Sequence, residues 1–270
     1  MVLSVHNISA GYGAQPVLSD LSVQFTAGRV TALVGPNGCG KSTLLKVIMD
    51  FLPVTSGRVL LGGQRLQAIG RRELARRLSY LPQEAHCPDY MTLGELVELG
   101  GYARRPLLGG PSADERKLYR EVLEIVGLSD EAPRYVNSLS GGQRQRAWVA
   151  MVLAQNTDII LMDEPVNHLD VKYQYAVLDL VRSLSKQYGK TILVVLHDIN
   201  LTATFADDVV MLKSGQVVAA GNVGDTITAA NMDAVFDIPA DVFIRKGRAV
   251  CQPYPLEEAA PESAQRVGRV

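Results

Sequence analysis

Gly35-Pro36-Asn37-Gly38-Cys39-Gly40-Lys41-Ser42-Thr43 fits the P-loop pattern G-x-x-x-x-G-K-S/T, with Gly35 and Gly40 at the required spacing. A phosphate chain needs many donors at close range and little side-chain bulk. Gly38 and Gly40 let successive backbone N–H groups turn inward as an anion nest. Lys41 brings a positive charge to the β- and γ-phosphates, and the Ser42 hydroxyl is placed to hold Mg²⁺. The flanks agree with this reading. Arg29 to Val34 reads as a buried strand entering the loop, and Ser42 to Met49 as the helix leaving it. The dipole of that helix adds to the phosphate site. Residues 35–43 are therefore assigned to nucleotide binding.

Around this stretch the chain runs to 270 residues, enough for one large domain or two small ones with an ample core. Its net charge of −1 gives no general attraction to nucleic acid or to acidic lipid. Arg71, Arg72, Arg76 and Arg77 form a local basic cluster, read as a solvated helix face. Cys39, Cys87 and Cys251 match no zinc pattern and no disulfide framework, which points to a reducing compartment. The first residues lack a basic region followed by an apolar core, so no signal peptide is expected. The longest apolar stretches, such as Ile192 to Leu196, fall far short of the roughly 20 residues that span a bilayer.

Val2 to Ile8 and Val17 to Phe25 alternate like half-buried strands, joined by a turn at Ala10-Gly11-Tyr12-Gly13. Arg58 to Leu61 is a short strand closed by a Gly62-Gly63 turn, Glu73 to Leu78 a short helix, and Leu78 to Leu81 β-prone. From about Pro88 to Gln155 the texture is helical. Leu93, Leu96, Val97 and Gly100 share one face; Leu118, Val122, Leu123, Ile125 and Val126 share another; Arg105 to Ser112 is a loop. Asp158 to Asp163 and Thr191 to Leu196 are buried strands either side of an amphipathic helix, Tyr173 to Tyr188. Such alternation implies a mostly parallel sheet covered on both faces. A late hairpin, Val209 to Leu212 and Gln216 to Ala220, precedes a less periodic stretch from Asn222, whose end, Glu257 to Val270, is polar and expected to be disordered.

Two further stretches carry chemistry. Ile159-Ile160-Leu161-Met162-Asp163-Glu164-Pro165 is an apolar strand ending in adjacent acids. Beside a P-loop, Asp163 would hold Mg²⁺ and Glu164 would act as general base on the attacking water. Leu139-Ser140-Gly141-Gly142-Gln143 is another phosphate-ready element, since Ser140 can cap a helix start whose free N–H groups point outward. One nucleotide does not need two anion cradles so far apart in sequence. A second chain could use the spare one.

That second stretch resembles the signature motif of ABC transporters. The resemblance covers roughly residues 1–222 as an ABC nucleotide-binding domain, and it implies a fold. That fold is an α/β P-loop NTPase core, with a mostly parallel sheet and an antiparallel β subdomain. A helical subdomain is inserted at about 88–155, and residues 223–270 are a C-terminal extension. It also implies roles. Tyr12 looks like the aromatic that stacks on adenine. Gln83, after Tyr80-Leu81-Pro82, looks like the Q-loop glutamine that contacts Mg²⁺ and water. Ser140, Gly141, Gly142 and Gln143 would close over the γ-phosphate of ATP held by a second copy. Asn167-His168-Leu169-Asp170 resembles the D-loop, with Asp170 at the dimer interface, and His197 looks like the switch histidine. Val166 departs from the Thr usual after the Glu-Pro pair, which puts in doubt how the adjoining loop is held. Cys39 stands where many members carry Ser. A thiol there is expected to react with maleimide unless MgATP protects it, the alternative being that Cys only fills a small-residue slot.

Gln143 to Met151 and Val195 to Asn200 resemble the iron-siderophore importer ATPases, with heme and cobalamin importers next. The resemblance implies an ATP- and Mg²⁺-dependent subunit at the cytoplasmic face of the bacterial inner membrane. It would pair with a second copy and two transmembrane permease subunits, and act indirectly with a periplasmic or lipoprotein substrate-binding protein. Nucleic acid is not an expected partner. A soluble ABC ATPase acting on DNA or ribosomes would usually carry a coiled coil or two fused cores, and residues 137–155 hold no heptads. A small-molecule kinase would not explain Ser140 to Gln143 or His197.

Overall fold

The computed structural model describes residues 2–105, 109–167 and 169–255. An antiparallel hairpin opens the chain, β1 (Leu3–Tyr12) and β2 (Gln15–Phe25), and β3 (Val30–Val34) leads into helix α1 (Lys41–Ile48). A second hairpin, β4 (Ser56–Leu61) and β5 (Gln64–Arg65), precedes α2 (Arg71–Arg77) and β6 (Leu78–Leu81). Helices α3 (Leu93–Gly100), α4 (Ala113–Ile125) and α5 (Gly141–Ala154) follow. Then β7 (Ile159–Met162), α6 (Val171–Tyr188), β8 (Thr191–Val195) and α7 (Ile199–Phe205) alternate. The described chain ends with the hairpin β9 (Asp208–Lys213) and β10 (Gln216–Asn222), helices α8 (Val223–Thr226) and α9 (Ala229–Phe236), and the hairpin β11 (Ala240–Arg245) and β12 (Arg248–Pro253).

The central sheet has strand order β10-β9-β3-β8-β7-β6. All its pairings are parallel except β9–β10. Every residue of β3, β7 and β8 is buried. Parity then sorts these side chains between two apolar layers. Val30, Ala32, Ile160, Met162, Ile192 and Val194 face α5 and α6, meeting Val149, Val177 and Val181. Leu33, Ile159, Leu161, Leu193 and Val195 face the other way, meeting Leu44 and Ile48 of α1 and Leu3, Ile8 and Phe25 of the antiparallel sheet β2-β1-β4-β5. Each such aliphatic side chain contributes about 1.5–3 kcal/mol by leaving water. The α/β arrangement, with an antiparallel sheet on one side, is the one the strand and helix pattern implies.

Some local expectations give way. β1 continues through Tyr12, and the turn falls at Gly13-Ala14 rather than at Ala10 to Gly13. On α4, Tyr119 is buried while Ile125 is 38% exposed. The Tyr119 ring can be buried because its hydroxyl accepts a hydrogen bond from Arg105 Nη2 at 2.9 Å. The α2 arginines are more than a solvated face. Arg72 and Arg76 each donate from Nε to the Ala103 carbonyl, at 3.0 and 3.1 Å, and Arg77 pairs with Glu73 at 2.8 Å. Beyond Asn222 the weakly periodic stretch folds into two short helices and a hairpin. The loop positions 106–108, His168 and the expected disorder of 257–270 lie outside the described residues.

Capping boxes fix the starts of helices α3 and α4: Thr92 with Glu95, and Ser112 with Glu115. Helix α3 crosses α5 at Gly100. A Cβ on Gly100 would fall inside contact distance of the Met151 carbonyl oxygen and 2.8 Å from Ala154 Cβ. Gly100→Ala gains about 1 kcal/mol of helix propensity, but overpacking costs about 1–3 kcal/mol. Since a backbone oxygen cannot step aside alone, we expect a net loss of stability. A lowered urea midpoint of the nucleotide-free protein checks this, and a raised midpoint would contradict the tight crossing.

Candidate active site

Parallel strands end at the same sheet edge, and the connections leaving that edge form the crevice where ligands bind in such folds. The P-loop leaves β3, Gln83 follows β6, Asp163-Glu164 follows β7, and His197 follows β8. Asn37, Gly38 and Gly40 to Thr43 of the P-loop, with Gln83, Glu164, His197 and Tyr12 at the end of β1, line one open cleft of about 720 Å³, which also takes in Val17 and Asn167.

The loop is held open by backbone geometry that side chains would prevent. Gly35 has φ 149°, and a Cβ there would run into the Leu212 carbonyl oxygen and lie 2.8 Å from Cys39 Sγ. The Lys41 ammonium is buried and donates to the Gly35 and Pro36 carbonyls at 2.8 and 3.0 Å, so it is fixed within the loop that phosphate would enter. Tyr12 is half exposed, with Lys46 Nζ 5.7 Å from its ring centroid.

Ser42 Oγ donates to Asp163 Oδ1 at 3.0 Å, and the Tyr80 hydroxyl donates to Asp163 Oδ2 at 3.3 Å. Burial, reinforced by the neighbouring Glu164, pushes the Asp163 carboxyl above the usual carboxylate range, against the pull of those hydrogen bonds. A nearby dication would reverse that balance. The Ser42 hydroxyl and Asp163 carboxylate are the hard oxygen donors that Mg²⁺ takes, so the residues fit such an ion.

Glu164 sits at φ 54°, a left-handed conformation costing a non-glycine residue about 1–3 kcal/mol. Its carboxylate is gripped from three connections. Gln83 Nε2 donates to Oε2 at 2.6 Å, His197 Nε2 lies 2.7 Å from Oε1, and Asn167 Nδ2 also donates to Oε2. The arrangement is a mostly buried proton acceptor, held beside a phosphate cradle by groups that can orient a water.

Sequence reasoning missed Asn167 and Tyr80. Asn167 was quoted within Asn167-His168-Leu169-Asp170, but its bond to Glu164 depends on the turn that the Asn167 N–H makes to the Glu164 carbonyl, at 3.2 Å. Val166 settles how that loop is held without the hydroxyl. Its side chain is buried in the core, and its carbonyl accepts from Leu169 N at 3.4 Å and Gln174 Nε2 at 3.5 Å.

Ser140, Gly141, Gly142, Gln143 and Asp170 are not brought to the cleft of their own chain. Ser140 caps α5 in a reciprocal box with Gln143, at 3.0 and 3.3 Å, and both Ser140 and Gly141 are exposed. Asp170 stands exposed before α6 with no capping bond from its side chain.

An ABC transporter family model matches residues 18–167 of this chain. The iron(3+)-hydroxamate import ATP-binding protein FhuC of Bacillus subtilis is 36% identical, over 94% of this chain and 95% of that protein. The ferric enterobactin transport ATP-binding protein FepC of Escherichia coli is 36% identical, over 95% of both. Among solved structures, a metal-chelate type ABC transporter in an inward-facing conformation superposes with TM-score 0.81 at 26% identity, over 94% of this chain and 97% of that one. The dimeric structure of a bacterial ABC transporter cassette superposes with TM-score 0.72 at 31% identity, over 82% and 98%. The chain belongs to the ABC transporter family as an ATP-binding, ATP-hydrolysing subunit.

Cys39 corrects the expectation of a reactive thiol. It is 4% exposed, and burial raises its pKa above the usual thiol value although the Lys41 charge opposes this. The slot-filling alternative fits that geometry. Thiolate is scarce below the raised pKa and accumulates as pH climbs through it. Maleimide should therefore label native Cys39 slowly at neutral pH, faster as pH rises, and fully after unfolding. Neutral-pH labelling as fast as a free cysteine peptide would contradict the buried placement.

Proposed function

We propose that this member of the ABC transporter family powers uptake of ferric siderophores across a bacterial inner membrane. The observation that carries the mechanism is the Glu164 carboxylate, tied to Gln83 and His197 at the mouth of the P-loop cleft. Tyr12 would stack on adenine, and residues Gly35 to Thr43 would wrap the phosphates. Mg²⁺, held by Ser42, Asp163 and Gln83, would neutralise phosphate charge. Glu164 Oε2, beside Gln83, would take a proton from the attacking water, and His197 Nε2 would turn from Glu164 to a γ-phosphate oxygen.

The reading needs a second copy. Its Ser140, Gly141, Gly142 and Gln143 would close the site, with Asp170 at the interface, and two copies would sandwich two ATP molecules. The capped, exposed start of α5 supports that role, as does its absence from the chain's own cleft. We assign residues 1–222 to the nucleotide-binding domain, with the helical subdomain at about 88–155, and residues 223–270 to an extension. Among the described residues no helix is long and apolar enough to cross a membrane. On this reading two permease subunits, bound at the cytoplasmic face and fed by a substrate-binding protein, would carry out the membrane work. Tyr90 and Tyr102, 78% and 75% exposed, would offer apolar surface to the permeases. The ferric-siderophore cargo rests on the named functions of the relatives, FhuC and FepC among them.

Glu164→Gln keeps the shape and removes the base. ATP should still bind while turnover falls by roughly 10²-fold or more; near-normal turnover would reject Glu164 as base. For the cargo, the gene is deleted and uptake of radiolabelled ferric siderophore, heme and cobalamin is measured separately. Loss of siderophore uptake alone is expected. Loss of only heme or only cobalamin uptake would overturn the cargo assignment.

A further inference from the structure

Helix α7 starts directly behind His197, and its first turn is embedded in the C-terminal extension. Asp198 caps it, accepting from the N–H groups of Asn200 and Leu201 at 2.7 and 2.9 Å. Ile199 packs against a small apolar cluster formed by Met232, Ala240 and Cys251, none of which belongs to the central core layers. Asn200 then pairs with the outward edge of β12 as a backbone peptide would. Its Nδ2 donates to the Cys251 carbonyl at 3.1 Å, and its Oδ1 accepts from the Cys251 N–H at 2.9 Å. From the other end, His197 reaches Glu164 at 2.7 Å. One short chain of contacts thus runs from the terminal hairpin to the carboxylate at the cleft.

We infer that Asn200 is a positioning residue and that the β11–β12 hairpin, through it, sets where the His197 ring stands. This rests on the role proposed for His197 and adds a purpose for the C-terminal extension. The physical argument is one of leverage. A two-point amide clamp fixes the side chain, and with it the rotation of a two-turn helix whose N-terminal residue is two positions from the histidine. Loss of the clamp leaves α7 helical, because Ala is a better helix former than Asn. The loss would fall on the ring's placement instead.

The test uses the full-length protein with Asn200→Ala and Asn200→Asp, the latter keeping only the acceptor for the Cys251 N–H. For Asn200→Ala, kcat for ATP should fall roughly tenfold with KM within about twofold, since the P-loop and Tyr12 are untouched. Asn200→Asp sets a carboxylate oxygen against the Cys251 carbonyl and so should lower kcat at least as far as Asn200→Ala. The chain has only 4 histidines, so the His197 ring resonance can be assigned by its loss in His197→Ala and should shift in Asn200→Ala without nucleotide. If Asn200→Ala unfolds, Asn200→Ser, whose shorter side chain cannot bridge the Cys251 N–H and carbonyl, takes its place, and the same shift is expected. An unmoved resonance and unchanged kcat in a folded variant would overturn the clamp. Retained ATPase in His197→Ala would instead overturn the role of His197, whatever the resonance shows.

Discussion

Parallel pairing of β6, β7, β8 and β3 is the constraint from which the rest follows. Strands running the same way must end at the same edge, so four connections far apart in sequence open onto one crevice. That alone brings Lys41, Gln83, Glu164 and His197 within reach of a single ligand. Two apolar layers, divided by side-chain parity, clamp the sheet from both faces and leave the edge free to carry polar groups. Glu164 shows what that rigidity holds in place: a residue in left-handed backbone, its carboxylate engaged by Gln83 and His197 from the neighbouring connections and by Asn167 from its own.

Much of this was legible in the sequence because the signals were local. The buried strands β7 and β8 carry the apolar runs Ile159 to Met162 and Ile192 to Val195, and the glycines, lysine and hydroxyls of the P-loop stand at fixed spacing. What stayed hidden depended on pairings between distant positions. Tyr119 replaces Ile125 on the buried face of α4 because Arg105 satisfies its hydroxyl. Tyr80 reaches Asp163 only because β6 lies beside β7. The β11–β12 hairpin mixes charged and apolar residues too evenly for a clear period, and α7 provides the surface that completes it. Cys39 looked reactive by its neighbours in sequence, whereas its burial is a property of the folded loop.

On the proposed reading the site is half a site. Among the described residues, Lys41, Gln83, Glu164 and His197, the groups proposed to bind phosphate and activate water in cis, line the cleft. The α5 start at Ser140, capped and exposed, faces elsewhere. On the proposed reading, function would require two chains arranged so that each supplies the other's missing wall, and coupling to permeases would follow from the opening and closing of that pair.

The most direct measurement is complementation between two dead variants. Lys41→Ala and Ser140→Arg should each inactivate the homodimer. A dimer carrying one of each puts both lesions in one site and leaves the other intact, so equal mixing should restore roughly a quarter of wild-type ATPase activity if either site can turn over alone. Mixed dimers proven to form, yet without any recovery of activity, would contradict the shared site.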